Sequence, residues 1–176
     1  MTFAHAAVPP GFVEIGAWPL RTLADLATLR EGLHRMLTGA PLPADRALEA
    51  TPERVVLVAS ELATNALRHG LPPTQVRLLS DGRELVIDVV DHSPDVPVIA
   101  GRRSPGAGGF GLVLAQRAST AVGWFRAGTG EKHVWARFDV PVFRGGAGVR
   151  RALLPAGWRS GAPPGRAAVP PRGRAR

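Results

Sequence analysis

The chain has 176 residues, with 22 Lys+Arg against 14 Asp+Glu and no Cys. That length suits a single domain with a sizeable core. The absence of thiols excludes a disulfide scaffold, a Cys-ligated zinc or iron–sulfur centre, and a cysteine nucleophile. No uncharged apolar run approaches the roughly 18 residues of a membrane helix, and the opening Met-Thr-Phe-Ala-His lacks the basic start of a signal peptide. A cytoplasmic protein away from membranes is expected.

The positive charge is confined to one end. Residues 1–140 hold 14 Lys+Arg and 14 Asp+Glu, whereas residues 141–176 hold 8 Arg and no acid. A nucleic-acid-binding fold carries its basic residues on the folded face, so the balance of residues 1–140 argues against specific nucleic-acid binding. The Arg-, Gly- and Pro-rich composition of 141–176 predicts a disordered tail. Residues 1–11 are expected to be a loose leader, leaving 12–140 as the domain.

Residues 12–18 read as an entry strand. Residues 19–38 carry Leu23, Leu26, Ala27, Leu33 and Leu37 at helical spacing, ended by Gly39 and Pro41. A loop with Pro41 and Pro43 runs to Ala50. A second helix is announced by Thr51-Pro52-Glu53, a cap residue, a first-turn proline and an acid at the positive end of the helix dipole. It is expected to reach His69 and stop at Gly70. Residues 75–80 and 84–91 then read as strands joined by Asp81-Gly82, a hairpin signal, with Leu85, Ile87 and Val89 on one face. Residues 95–109 form a Gly- and Pro-rich loop. Residues 110–119 read as a short helix, and 122–126 and 133–140 as two closing strands. The fold class is α+β: a two-layer sandwich of a mixed, mostly antiparallel sheet with helices on one face.

The second helix carries the most informative pattern. At about 100° per residue, Val55, Ala59, Leu62, Ala63 and Ala66 fill one apolar arc. Glu61, Asn65 and His69 follow each other at i, i+4 along its border, where a stripe looks into a cleft at the edge of the core. An acid, an amide and an imidazole there suit a metal-bound ligand, although such a row also occurs on plain solvated faces. Asn is a mediocre helix former, so its mid-helix position calls for a reason. Asp91 ends a strand before Ser93 and Pro94; this is ordinary turn chemistry, and also an acceptor-only group suited to reading an amino group. Gly106-Ala-Gly-Gly-Phe-Gly111-Leu112 runs into a helix, where glycines let backbone approach phosphate and the helix start offers free N–H groups. His69 is expected to hydrogen-bond and hold the helix end.

In this order, the motifs resemble the Bergerat-fold ATPase superfamily of gyrase, heat-shock chaperones, histidine kinases and mismatch-repair proteins. Glu61-Leu-Ala-Thr-Asn65-Ala-Leu-Arg-His69 matches the asparagine box. Asp91-His-Ser-Pro matches the first glycine box, with Ser93 and Pro94 where glycines usually stand. Gly109-Phe-Gly111-Leu112 matches the second. Gly130-Glu-Lys132-His-Val-Trp135 is similar to the closing strand of one branch, the small actinobacterial anti-sigma-factor serine kinases. The resemblance spans roughly residues 18–140 and implies a histidine-kinase-like ATPase domain binding ATP and magnesium. It implies Asn65 as the metal ligand, Glu61 as the general base, and Asp91 as the adenine reader. Gly109, Gly111 and Leu112 would cradle phosphates, and Lys132, with Arg102 and Arg103, would face phosphate charge. The implied partners are a sigma factor or an anti-anti-sigma antagonist protein, with a homodimer possible. The expected activity is that of a serine/threonine protein kinase. A non-catalytic ATP-dependent binding switch and a detached histidine-kinase catalytic domain are the alternatives.

Overall fold

A computed structural model describes residues 4–39, 51–97, 110–128 and 130–139. Among them, six strands form one sheet: β1 (Ala4–His5), β2 (Val13–Leu20), β3 (Thr74–Ser80), β4 (Glu84–Asp91), β5 (Ala121–Arg126) and β6 (Lys132–Asp139). Three helices, α1 (Asp25–Thr38), α2 (Thr51–His69) and α3 (Phe110–Ala118), complete it. The strand order is β1-β5-β6-β4-β3-β2, antiparallel except where β1 pairs in parallel with β5. This is the expected two-layer α+β arrangement.

Alternation along β4 explains the layering. Leu85, Ile87 and Val89 point into the main core with Val55, Ala59, Leu62, Ala63 and Ala66 of α2, Leu112 and Ala115 of α3, and Leu29 and Leu33 of α1. Val86 points the other way, into a small cluster with Leu79 and Trp135 that Val8 and Phe12 help to cover. On that second face Asp88 is fully buried. The Arg77 guanidinium donates to its carboxylate, and the His133 Nδ1 stands 3.0 Å from it. The His133 ring is stacked on Phe125.

Two expectations are corrected. The leader is not wholly loose: Ala4–His5 pair with Gly123 and Trp124, and the Trp135 Nε1–H donates to the Ala6 carbonyl at 2.7 Å. The first helix does not start at Pro19. Strand β2 pairs with β3 as far as Leu20, because edge pairing satisfies backbone that a helix would otherwise hold. The helix begins at Asp25, whose Oδ2 accepts the N–H groups of Arg21 and Thr22, each at 2.8 Å. These backbone donors, Arg21 first, hold its carboxyl below the usual Asp range. Leu23 and Ala27 are consequently exposed, while Leu26, Leu29, Leu33 and Leu37 form the buried stripe. Helix α2 ends at His69 as expected, and the Gly70 that follows has no left-handed backbone. Its reason lies in the site below. The Pro41–Pro43 loop, most of the 95–109 loop and the tail lie outside the described residues.

Candidate functional site

Helix α2 presents Glu61 and Asn65, both partly buried, on consecutive turns. They border the apolar arc rather than oppose it, since Leu62, Ala63 and Ala66 beside them are buried. Helix α3 crosses at this point. A Cβ added to Gly111 would lie 2.7 Å from the Asn65 Nδ2 and 3.3 Å from both Cβ and Oε2 of Glu61. With no side chain at position 111, the first turn of α3 comes this close without displacing the Asn65 carboxamide. The N–H groups of that turn have no acceptor within the helix, so these backbone donors, a carboxylate and a carboxamide share one place. Leu112 packs its side chain in the core, so only its backbone could face a ligand.

Asp91 stands at the end of β4, on the face that carries Leu85, Ile87 and Val89, and is buried. The polar surroundings of its carboxylate are specific. Its Oδ1 accepts the Ser93 N–H at 2.7 Å and lies 3.1 Å from the Lys132 Nζ. The Ser93 hydroxyl in turn accepts the Asp95 N–H at 3.1 Å. Serine thus stabilises the turn by side-chain hydrogen bonding, where a glycine would do so by backbone freedom. The Arg126 guanidinium donates to the Pro94 carbonyl and ties this turn to β5. Gly70 explains how Asp91 comes so near α2. A Cβ there would lie 2.7 Å from the Asp91 Cγ and would also strike the Ala66 carbonyl. Glycine is needed for close approach rather than for an unusual φ.

The structure therefore brings together Glu61, Asn65 and Gly111, and separately Asp91 and Lys132. It changes the expectation for Lys132, whose ammonium is ion-paired with the Asp91 carboxylate rather than free to meet phosphate charge. The cause is register: Lys132 lies opposite Asp91 in the β4–β6 ladder, so both side chains leave the sheet on one face. His69 is exposed at the end of α2, and among the described residues its ring makes no hydrogen bond that would hold the helix end. Gly109, Arg102 and Arg103 lie outside the described residues. Two contributors escaped the sequence reading. By its neighbours Gly70 is a helix stop, and its contact with Asp91 has no local signature. Ser93 departs from the glycine pattern, yet the Asp-x-Ser spacing signals a turn of this kind.

The donor set fits magnesium. That ion takes few protein ligands and keeps several waters. The Asn65 carboxamide would supply one neutral oxygen, and Glu61 stands a turn away. No helix among the described residues is long and apolar enough to cross a membrane.

No curated protein matches the chain. The histidine kinase-like ATPase domain matches residues 21–138. That span runs from just before α1 to the penultimate residue of β6 and includes both halves of the site. The chain belongs to the histidine kinase-like ATPase domain family, and ATP is the ligand that membership implies for it.

Proposed function

We propose that the protein is a cytoplasmic, Mg-ATP-dependent serine/threonine kinase of the anti-sigma type, which phosphorylates an antagonist protein and holds a sigma factor when that antagonist is absent. The contact between Gly111 and the Glu61–Asn65 pair carries the proposal, because it sets a carboxylate beside the backbone donors that would bind phosphate.

Glu61 accepts the proton of the attacking serine hydroxyl, so the oxygen that attacks the γ-phosphate is the better nucleophile. Asn65 would hold magnesium through its carboxamide oxygen; the ion, when bound, neutralises phosphate charge. The N–H groups at the start of α3 donate to phosphate oxygens. Asp91 accepts from the adenine amino group and so orients the base end of the nucleotide. Most of the acceleration in phosphoryl transfer comes from such positioning and charge rather than from the base.

The test is transfer of label from γ-labelled ATP to candidate antagonist proteins, with Glu61→Gln as control. Labelling of a partner serine by the wild type, abolished in the variant, supports the kinase. If ATP tightens partner binding but no label moves to protein or water, the kinase reading fails and the chain is a nucleotide-dependent binding switch.

A further inference from the structure

Lys132 is the only lysine in a chain that otherwise uses arginine for its basic residues. Its side chain is 9 % exposed, and that of Asp91 is 3 % exposed. Lysine is seldom buried this far without a strong reason, and a buried pair of opposite charges is a poor device for stability alone. An ammonium has three N–H donors. The Nζ lies 3.1 Å from the Asp91 Oδ1 as an ion pair, and that oxygen also accepts the Ser93 N–H. Among the described residues, no other partner of Lys132 is found, and no donor reaches the Asp91 Oδ2. The two groups thus keep unused capacity side by side: an acceptor on Asp91 and donors on Lys132, on the helix-facing side of β4 and β6.

An acceptor next to a donor is the complement of a donor next to an acceptor. The edge of adenine has that form, with its exocyclic amino group beside the bare ring nitrogen N1. Building on the adenine role of Asp91 proposed above, we infer that Lys132 is a specificity-determining residue that donates to adenine N1 while the Asp91 Oδ2 accepts from the amino group. The pair reads two adjacent atoms of the base, where the carboxylate alone would read one. In the same seat guanine reverses both, setting its carbonyl against Asp91 and its N1–H against Lys132. The pairing with Asp91 also gives the ammonium its fixed direction, which a free lysine on a flexible stem lacks.

The experiment compares the affinity of the full chain, with magnesium, for ATP and for 1-deaza-ATP, in which a C–H replaces N1 and the amino group is retained. The wild type should bind ATP more tightly by on the order of tenfold or more, the scale of a hydrogen bond to a charged group. Lys132→Met should bind the two nucleotides alike. Equal binding of both by the wild type would overturn the inference while leaving the ATP site intact, and this arm needs no variant to fold. If Lys132→Met loses affinity for both nucleotides by the same factor and keeps the discrimination, Lys132 only orients Asp91, and the N1 contact is again overturned. Absence of any ATP binding by the wild type would overturn the nucleotide site itself, an outcome distinct from the other two.

Discussion

Gly111 of α3 stands against Asn65 of α2 so closely that a methyl group would lie 2.7 Å from the Asn65 Nδ2. The atom in the way is the end of a side chain, so it can swing aside at little cost. Alanine is also favoured over glycine inside a helix by about 1 kcal/mol. Gly111→Ala should therefore leave the melting temperature nearly unchanged or slightly raised. It should nevertheless weaken Mg-ATP binding, because the carboxamide has moved. Calorimetry together with a thermal melt checks both halves; unchanged affinity would show that the position of Asn65 is not critical.

Asn65→Ala removes the only neutral oxygen ligand proposed for magnesium. Its affinity for ATP should fall strongly with magnesium present and much less with EDTA present. An equal loss in both conditions would point to a direct contact with the nucleotide in place of a metal ligand.

Glu61→Gln should separate binding from chemistry. The amide keeps the shape of the side chain and the approach of Gly111, so Mg-ATP affinity should stay near that of the wild type. Transfer or hydrolysis should drop by a factor of about 10²–10⁴, the usual contribution of a positioned base. Retained turnover would exclude Glu61 as the base.

Asp91→Asn replaces a group that only accepts with one that also donates. Preference for ATP over GTP should shrink by about 1–3 kcal/mol, the cost of one unmade buried hydrogen bond. Competition of GTP against labelled ATP measures this. No preference in the wild type would remove the assigned role.

Acid stability should depend on Asp25. The N–H groups of Arg21 and Thr22 favour its ionised form, so its folded-state value is depressed. A depressed carboxyl contributes stability that is present above the unfolded value of about 3.9 and is lost as pH falls through the folded value. The gap in melting temperature between wild type and Asp25→Asn should be constant near neutrality and narrow below about pH 4. A gap independent of pH would show that the carboxylate charge is not what holds the turn leading into α1.

Interactions within one turn of helix or one tight turn were legible from the residues alone. Thr51, Pro52 and Glu53 marked the start of α2, its apolar arc marked the buried face, and the i, i+4 spacing put Glu61 and Asn65 on one border. The order of the motifs was enough to recognise the ATPase family. Tertiary structure decided whatever depends on partners distant in the chain. Lys132 meets Asp91 because β6 lies beside β4, a neighbour that chain order does not name, and the register sets the two opposite each other. The same ladder brings His133 next to Asp88, and β3 adds Arg77. The start of α1 moved to Asp25 because pairing with β3 extended β2 through residues whose own spacing suits a helix. Gly70 carries no left-handed turn; it is glycine because α2 and the end of β4 meet there. Local signals record what a residue needs from its nearest neighbours. Which carboxylate a lone lysine will face is settled only when strands far apart in the chain come into register.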